Sequence, residues 1–270
     1  MGGLIVCPKQ AVRHPYYVES LGIHLYSAEE LSYFIYNHML LLEDDFPDER
    51  LLVFIGRELG YPRLEDKLRN WVGRTKPGDL LLVILQDLHY YSSGELFQFR
   101  QRLEKLAGTT PGERLKARGD YLLGRKQYYG ALRTYDKILA LAGQEMSSGF
   151  LAGVWYSRGN AFAGMLAAGE AMDSFLRSYE LVPREDIPEK MFALTMLDET
   201  VALPEKMREV ITPRLEEKYR TAFEEKKRQA LFEGQALEAA LLQEKTQAER
   251  AQAYKELVEN WKNEYRRAVT

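Results

Sequence analysis

The chain reads as all-α. Three observations predict this. Helix start and stop signals recur along most of its length. Its apolar residues fall at helical rather than alternating spacing. And a block of small and aromatic residues returns after 40 residues, which marks stacked helical hairpins rather than one irregular bundle.

Length and composition agree with a folded, water-facing protein. The chain has 270 residues, 46% of them apolar and 29% charged, enough for one or two domains with a real core. The net charge of −3 argues against a general binder of phosphate backbones, so no nucleic-acid partner is expected. No apolar run approaches the ~20 residues that span a bilayer, and no membrane partner is expected. Cys7 is the only cysteine, which excludes an internal disulfide and fits a reducing cytoplasm. The opening "MGGLIVCPKQ" lacks the basic residue and small residue of a lipoprotein signal, and Val6 stands where a myristoylation start needs Ser or Thr. It reads as a short buried strand or extended arm.

The elements follow in order. "LIVC" and "GIHLYS" are the only strand candidates. Ser27 with Glu30 forms a capping box ahead of a helix whose Leu31, Phe34, Ile35 and Met39 share one face. Pro47 opens a further helix that stops near Gly60, and "PRLEDKLRNWVG" gives another ended by Gly73. Asp79 is read as the cap of "LLLVILQDLHYY" and Ser93 as the cap of "GELFQFRQRLEKLAG", which stops at Gly108. Thr110, Pro111 and Glu113 make a second capping box with proline at the first helical position. After Pro213 the chain is rich in Glu, Lys, Arg, Gln and Ala, holds only Gly234 as a break, and reads as one long helix. Tyr254, Val258, Trp261, Tyr265 and Ala268 form a seam near its end.

The repeat is specific. Gly119, Leu122, Ala131 and Tyr135 return as Gly159, Phe162, Ala171 and Phe175, each 40 residues on. With Trp155 before the second set and Pro183 after it, this block resembles two tetratricopeptide repeats over about 111–185. Leu115 replaces the first tryptophan, and the longer period is absorbed in "AGQEMSSG". The glycines are expected where two helices cross closely, the alanines opposite them, and the aromatics one turn later. Pro183 ends the last helix because proline cannot continue one. Two repeats cannot bury a stacked core alone. Helices of 48–108 are therefore expected to cover one end, and "IPEKMFALTMLDET" with the helix from Leu203 the other.

The resemblance implies a concave groove lined by the first helix of each pair. On this chain its polar positions are Lys116, Asp120, Tyr156 and Asn160. Lys116 and Asn160 match the family's clamp for C-terminal carboxylates. Asp120 would repel a carboxylate, so an internal peptide segment or partner helix is the expected occupant.

The remaining chemistry-bearing residues give no catalytic set. His14, His24, His38 and His89 show no zinc spacing. A Cys7 pair with His14 or His24, or paired acids among 43–49 binding Mg²⁺ or doing acid/base work, would make the N-terminal module an enzyme, the minor alternative; no catalytic residue, metal or cofactor is expected. The carboxylates at 43, 44, 45, 48 and 49 read as a solvated helix start. The segment from His14 to His38 carries five tyrosines and one phenylalanine, and resembles the opening of uncharacterised bacterial proteins with tetratricopeptide repeats downstream. Core packing is its expected use, with an aromatic docking surface as the alternative.

The expected organisation is an N-terminal helical module at 1–108, two repeats at 109–185, capping helices at 186–212 and a charged helix at 213–270. The expected function is a cytoplasmic, non-catalytic adaptor for a protein or peptide. The alternative is a structural protein that self-assembles through 213–270. The near part of that last helix should dock and the far part project.

Overall fold

A computed structural model describes residues 12–19, 21–42, 46–141, 146–242, 252, 255–256 and 258–263; at residue 77 and at 233–242 it describes the backbone alone. Among the described residues the chain is all-α apart from one small hairpin, and it divides into two compact units, Met1–Arg118 and Gly119–Thr270. The "LIVC" segment, Cys7, the acids at 43–45, residues 142–145 and Tyr254, Tyr265 and Ala268 lie outside the described residues.

The first unit begins with β1 (Tyr16–Val18) and β2 (Ile23–Leu25), antiparallel with Tyr17 opposite His24. The turn between them needs Gly22 at φ +63, a conformation that costs other residues. Strand alternation sends Val18 and Leu25 into the core and leaves Tyr17 and His24 outside. "GIHLYS" thus holds the expected strand, and its partner Tyr16–Val18 was not legible in so short a run.

Five helices follow: α1 (Ala28–Asn37), α2 (Glu49–Val53), α3 (Pro62–Trp71), α4 (Pro77–Asp87) and α5 (Ser93–Ala107). Ser27 caps α1 through the Glu30 amide at 3.2 Å, and Glu30 reaches back to the Tyr26 amide, one residue before the cap. Leu31, Phe34 and Ile35 are buried, but α1 stops at Asn37, so Met39 sits in a following 3-10 turn. Asp48 caps α2 through the Leu51 amide at 2.8 Å, a structural use of one of the clustered acids. A π-helical turn, Phe54–Glu58, then ends at Gly60 with φ +79.

Two caps differ from expectation. Asp79 lies inside α4; its start is set by Pro77 after Lys76, since proline needs no amide partner at the first helical position. The cap of α5 is Ser92, not Ser93, because only there does Glu95 fall three residues on to complete the reciprocal box. Leu80 to Leu85 are all buried, so α4 is the central helix of this unit, packed against α1, α3 and α5. On α5 only Phe99 is buried.

The division between units falls inside α6 (Pro111–Gly124), which starts at the Thr110–Glu113 box. The second unit continues with α7 (Tyr128–Ala140), α8 (Ser148–Gly164), α9 (Ala168–Leu181), α10 (Asp186–Leu197), α11 (Glu205–Val210) and α12 (Pro213–Leu242). Helix α8 is wedged between α7 and α9, and buries residues on several sides.

At both glycines of the repeat a ring takes the place of a side chain. A Cβ on Gly119 would lie 2.5 Å from Tyr135, and one on Gly159 would lie 2.7 Å from Phe175. Ala131 and Ala171 are fully buried opposite, and Leu122 is buried beside them. The Ser178 hydroxyl donates to the Ala152 carbonyl at 2.8 Å, tying α9 to α8. Trp155 is half-buried beneath the guanidinium groups of Arg158 and Arg177. Phe162 is half-buried on the core of α9 and α10, and Pro183 follows the end of α9.

That core continues past α9. Ile187, Met191 and Phe192 of α10, Met207 of α11 and Tyr219 of α12 close over Phe175 and Met172. Helix α12 docks by Leu215 and Tyr219, whose ring meets Phe192. From Glu224 to Phe232 every residue is exposed, so apolar docking ends after the first turns, although the Lys226 ammonium still reaches Glu189 of α10 at 3.0 Å.

Candidate partner-binding surface

Helices α8 and α10 run side by side and are joined by two polar rungs. The Tyr156 hydroxyl donates to the Asp186 carboxylate, and one turn later the Lys190 ammonium donates to the Asn160 side-chain oxygen at 3.1 Å. Tyr156 and Asn160 are four apart on α8, as Asp186 and Lys190 are on α10, so each pair shares a helix face.

The rungs are electrically organised around Tyr156. The Arg184 guanidinium stacks over its ring at 4.0 Å and also donates to Asp186 at 3.0 Å. Lys190 approaches the same ring at 5.4 Å. Burial and the Asp186 hydrogen bond push the Tyr156 phenol above its ordinary range. Burial would raise the Asp186 carboxyl, but hydrogen bonds from Tyr156 and Arg184 outweigh it and hold it below its ordinary value. The result is a half-buried aromatic ring and amide, flanked by two cations and one carboxylate.

The four residues expected in the groove do not act alike. Tyr156 and Asn160 come together here. Asp120 is exposed and accepts a 2.8 Å hydrogen bond from Tyr135, within its own hairpin. Burial first, then the Asp120 charge, pushes the Tyr135 phenol far up. Lys116 lies four residues before Asp120 on α6 and belongs to the first unit.

Sequence reading missed Arg184, Asp186 and Lys190. The signal was present as a spacing: both rungs join residues 30 apart, whereas the glycine-alanine repeat advances by 40.

Elsewhere the histidines serve local structure. His14 meets Glu58 at 2.8 Å, and Glu58 also accepts the amides of Arg13 and His14. His24 packs between Tyr17 and Tyr26. His38 is buried against Phe34. Tyr17, Tyr26 and Tyr33 are exposed, which corrects the expectation of core packing for three of the five tyrosines; Phe34 is core. Among the described residues, no group of three His, Cys, Asp or Glu could hold a metal ion, and no helix is long and apolar enough to cross a membrane.

No protein-family model matches this chain, and no curated protein or solved structure matches it.

Proposed function

We propose that the chain is a non-catalytic adaptor of the tetratricopeptide type, acting in the cytoplasm, which captures a protein or peptide on the α8–α10 face. The observation that carries this reading is the Lys190–Asn160 rung beside Tyr156. An ammonium, an amide and a half-buried aromatic ring on two adjacent helices suit a peptide segment or partner helix bearing an acidic side chain. The ring supplies contact area at little entropic cost, and the cations steer the approach. The repeat pattern of glycine, alanine and aromatic residues supports the same class. The test is capture of partners by Lys190→Glu and Asn160→Trp variants whose melting is unchanged.

A second reading rests on α12 and the residues after it. Leu231, Phe232, Val258 and Trp261 are exposed, Phe232 by 71%. Such side chains in water favour pairing with another chain. Self-assembly through 213–270 would appear as a molecular mass that rises with concentration and falls back when 245–270 are removed.

A further inference from the structure

The two repeats carry opposite charges on their outer faces. Helices α7 and α9 are the second members of the two hairpins, and each buries the face that holds its alanine and its aromatic ring. The charged side chains left exposed on α7 are Arg133, Asp136 and Lys137, with Lys126 in the turn just before. Those on α9 are Glu170, Asp173, Arg177 and Glu180, which share one helix face. Each stripe starts beside an exposed apolar side chain, Tyr129 in the first turn of α7 and Leu166 in the turn before α9.

The minority charge on each face is already engaged. Asp136 pairs with Arg158 of α8 at 2.9 Å, and the Arg177 guanidinium lies over the Trp155 ring at 4.9 Å. That leaves Lys126, Arg133 and Lys137 on one face, and Glu170, Asp173 and Glu180 on the other. Among the described residues none of these six has an ion-pair partner. The reversal is specific to position: Asp173 stands on α9 where Arg133 stands on α7, 40 residues on. Like charges one turn apart repel, so neither stripe serves the helix that bears it.

We propose that the chain associates with a second copy of itself, the basic α7 face of one copy against the acidic α9 face of the other. A second copy is selected because it brings the complementary stripe, on a helix of the same hairpin. A nucleic acid or an anionic membrane would meet the α7 cations but would leave the α9 carboxylates unpaired and repelling it. Single surface ion pairs are worth little, so the contact is weak and depends on several pairs acting together. It is also screened by salt. This surface is separate from the α8–α10 face. It is separate too from pairing through 213–270, which is apolar and persists at high salt.

The experiment is analytical ultracentrifugation of the full-length chain over a concentration series. It is run at about 0.01 M salt, where charges act over ~30 Å, and at about 1 M, where they act over ~3 Å. The wild type should gain mass with concentration at low salt, and self-associate less at high salt. One double variant, Arg133→Glu with Lys137→Glu, reverses the α7 face. Another, Glu170→Lys with Asp173→Lys, reverses the α9 face. Each alone should weaken association at low salt by roughly tenfold or more. An equal mixture of the two should restore it, because the reversed α7 face of one matches the reversed α9 face of the other. Restoration also shows that both variants are folded. A wild type whose mass is constant at low salt, a variant that associates like wild type, or a mixture that fails to regain mass would overturn the proposal. So would an association that ignores these charges and disappears with 245–270, which would assign self-assembly to the C-terminal segment.

Discussion

Lys190 on α10 reaches Asn160 on α8 at 3.1 Å, and Tyr156 reaches Asp186 one turn earlier on both helices. Rungs that advance in the same direction on both helices require α8 and α10 to run parallel. Helix α9 packs on both and returns the chain between them. The polar face is therefore a product of the hairpin stack: two helices that are not consecutive are brought into register by the one between them.

That stack depends on Gly159. Replacing it with Leu puts a branched side chain where the Phe175 ring already lies, with the Cβ itself at 2.7 Å. Overpacking of this kind costs about 1–3 kcal/mol, more where backbone must move. At ~2–4 °C per kcal/mol for chains of this size, the melting temperature should fall visibly. Gly169 is the control. Nothing stands within 4 Å of a Cβ there, and the residue is in the first turn of α9. Gly169→Ala should raise the melt slightly, by about 0.4–1 kcal/mol of stability, through lower unfolded-chain entropy. Calorimetry on both variants checks the opposite signs.

Alkali should loosen the fold through its tyrosines. Burial pushes Tyr91 up to about 12 and raises Tyr135, Tyr156 and Tyr219 as well. A phenol whose folded value exceeds its unfolded value near 10 stabilises the fold fully below pH 10, and that contribution is lost as pH rises toward the folded value. Urea midpoints should thus decline above pH 10. An absorbance titration at ~295 nm should show a fraction of the tyrosines ionising late, and Tyr91→Phe should diminish that fraction.

Helix α12 should separate into a structural part and a dispensable one. Tyr219 is buried against Phe192, and its loss as Tyr219→Ala should cost roughly 3 kcal/mol. The residues from Glu224 to Phe232 are exposed and contribute little packing. Deleting 245–270 should therefore leave the thermal melt nearly unchanged, and should lower the molecular mass in light scattering wherever the full chain self-associates.

Much of this fold was legible because local chemistry wrote it. The Thr110–Glu113 box, Pro111 and the two glycines each have a short-range physical reason, and the glycine-to-ring distances follow from residues 16 apart in the same hairpin. The α5 cap was misread by one residue because Ser92 and Ser93 stand together, and only the reach of Glu95 decides between them. The candidate face was half legible. Tyr156 and Asn160 sit within the repeat pattern, whereas Lys190 lies on α10, whose sequence "DIPEKMFALTML" has no glycine to mark a crossing. Its position comes from core contacts of Ile187 and Met191, which are long-range and leave only an apolar spacing in the sequence. Lys116 and Asp120 were grouped with them by helix position alone, and Asp120 proved to be a partner for Tyr135.

The most direct test of the adaptor reading is a comparative pull-down with mass spectrometry, using the wild type and the Lys190→Glu variant. Losing the Asn160 hydrogen bond costs only about 1 kcal/mol, so the variant should keep its helicity and melt close to wild type. Reversing the charge beside Tyr156 should remove a defined set of proteins from the captured material, and Asn160→Trp should remove the same set. If both variants retain every protein that the wild type captures, the α8–α10 face is not the functional surface.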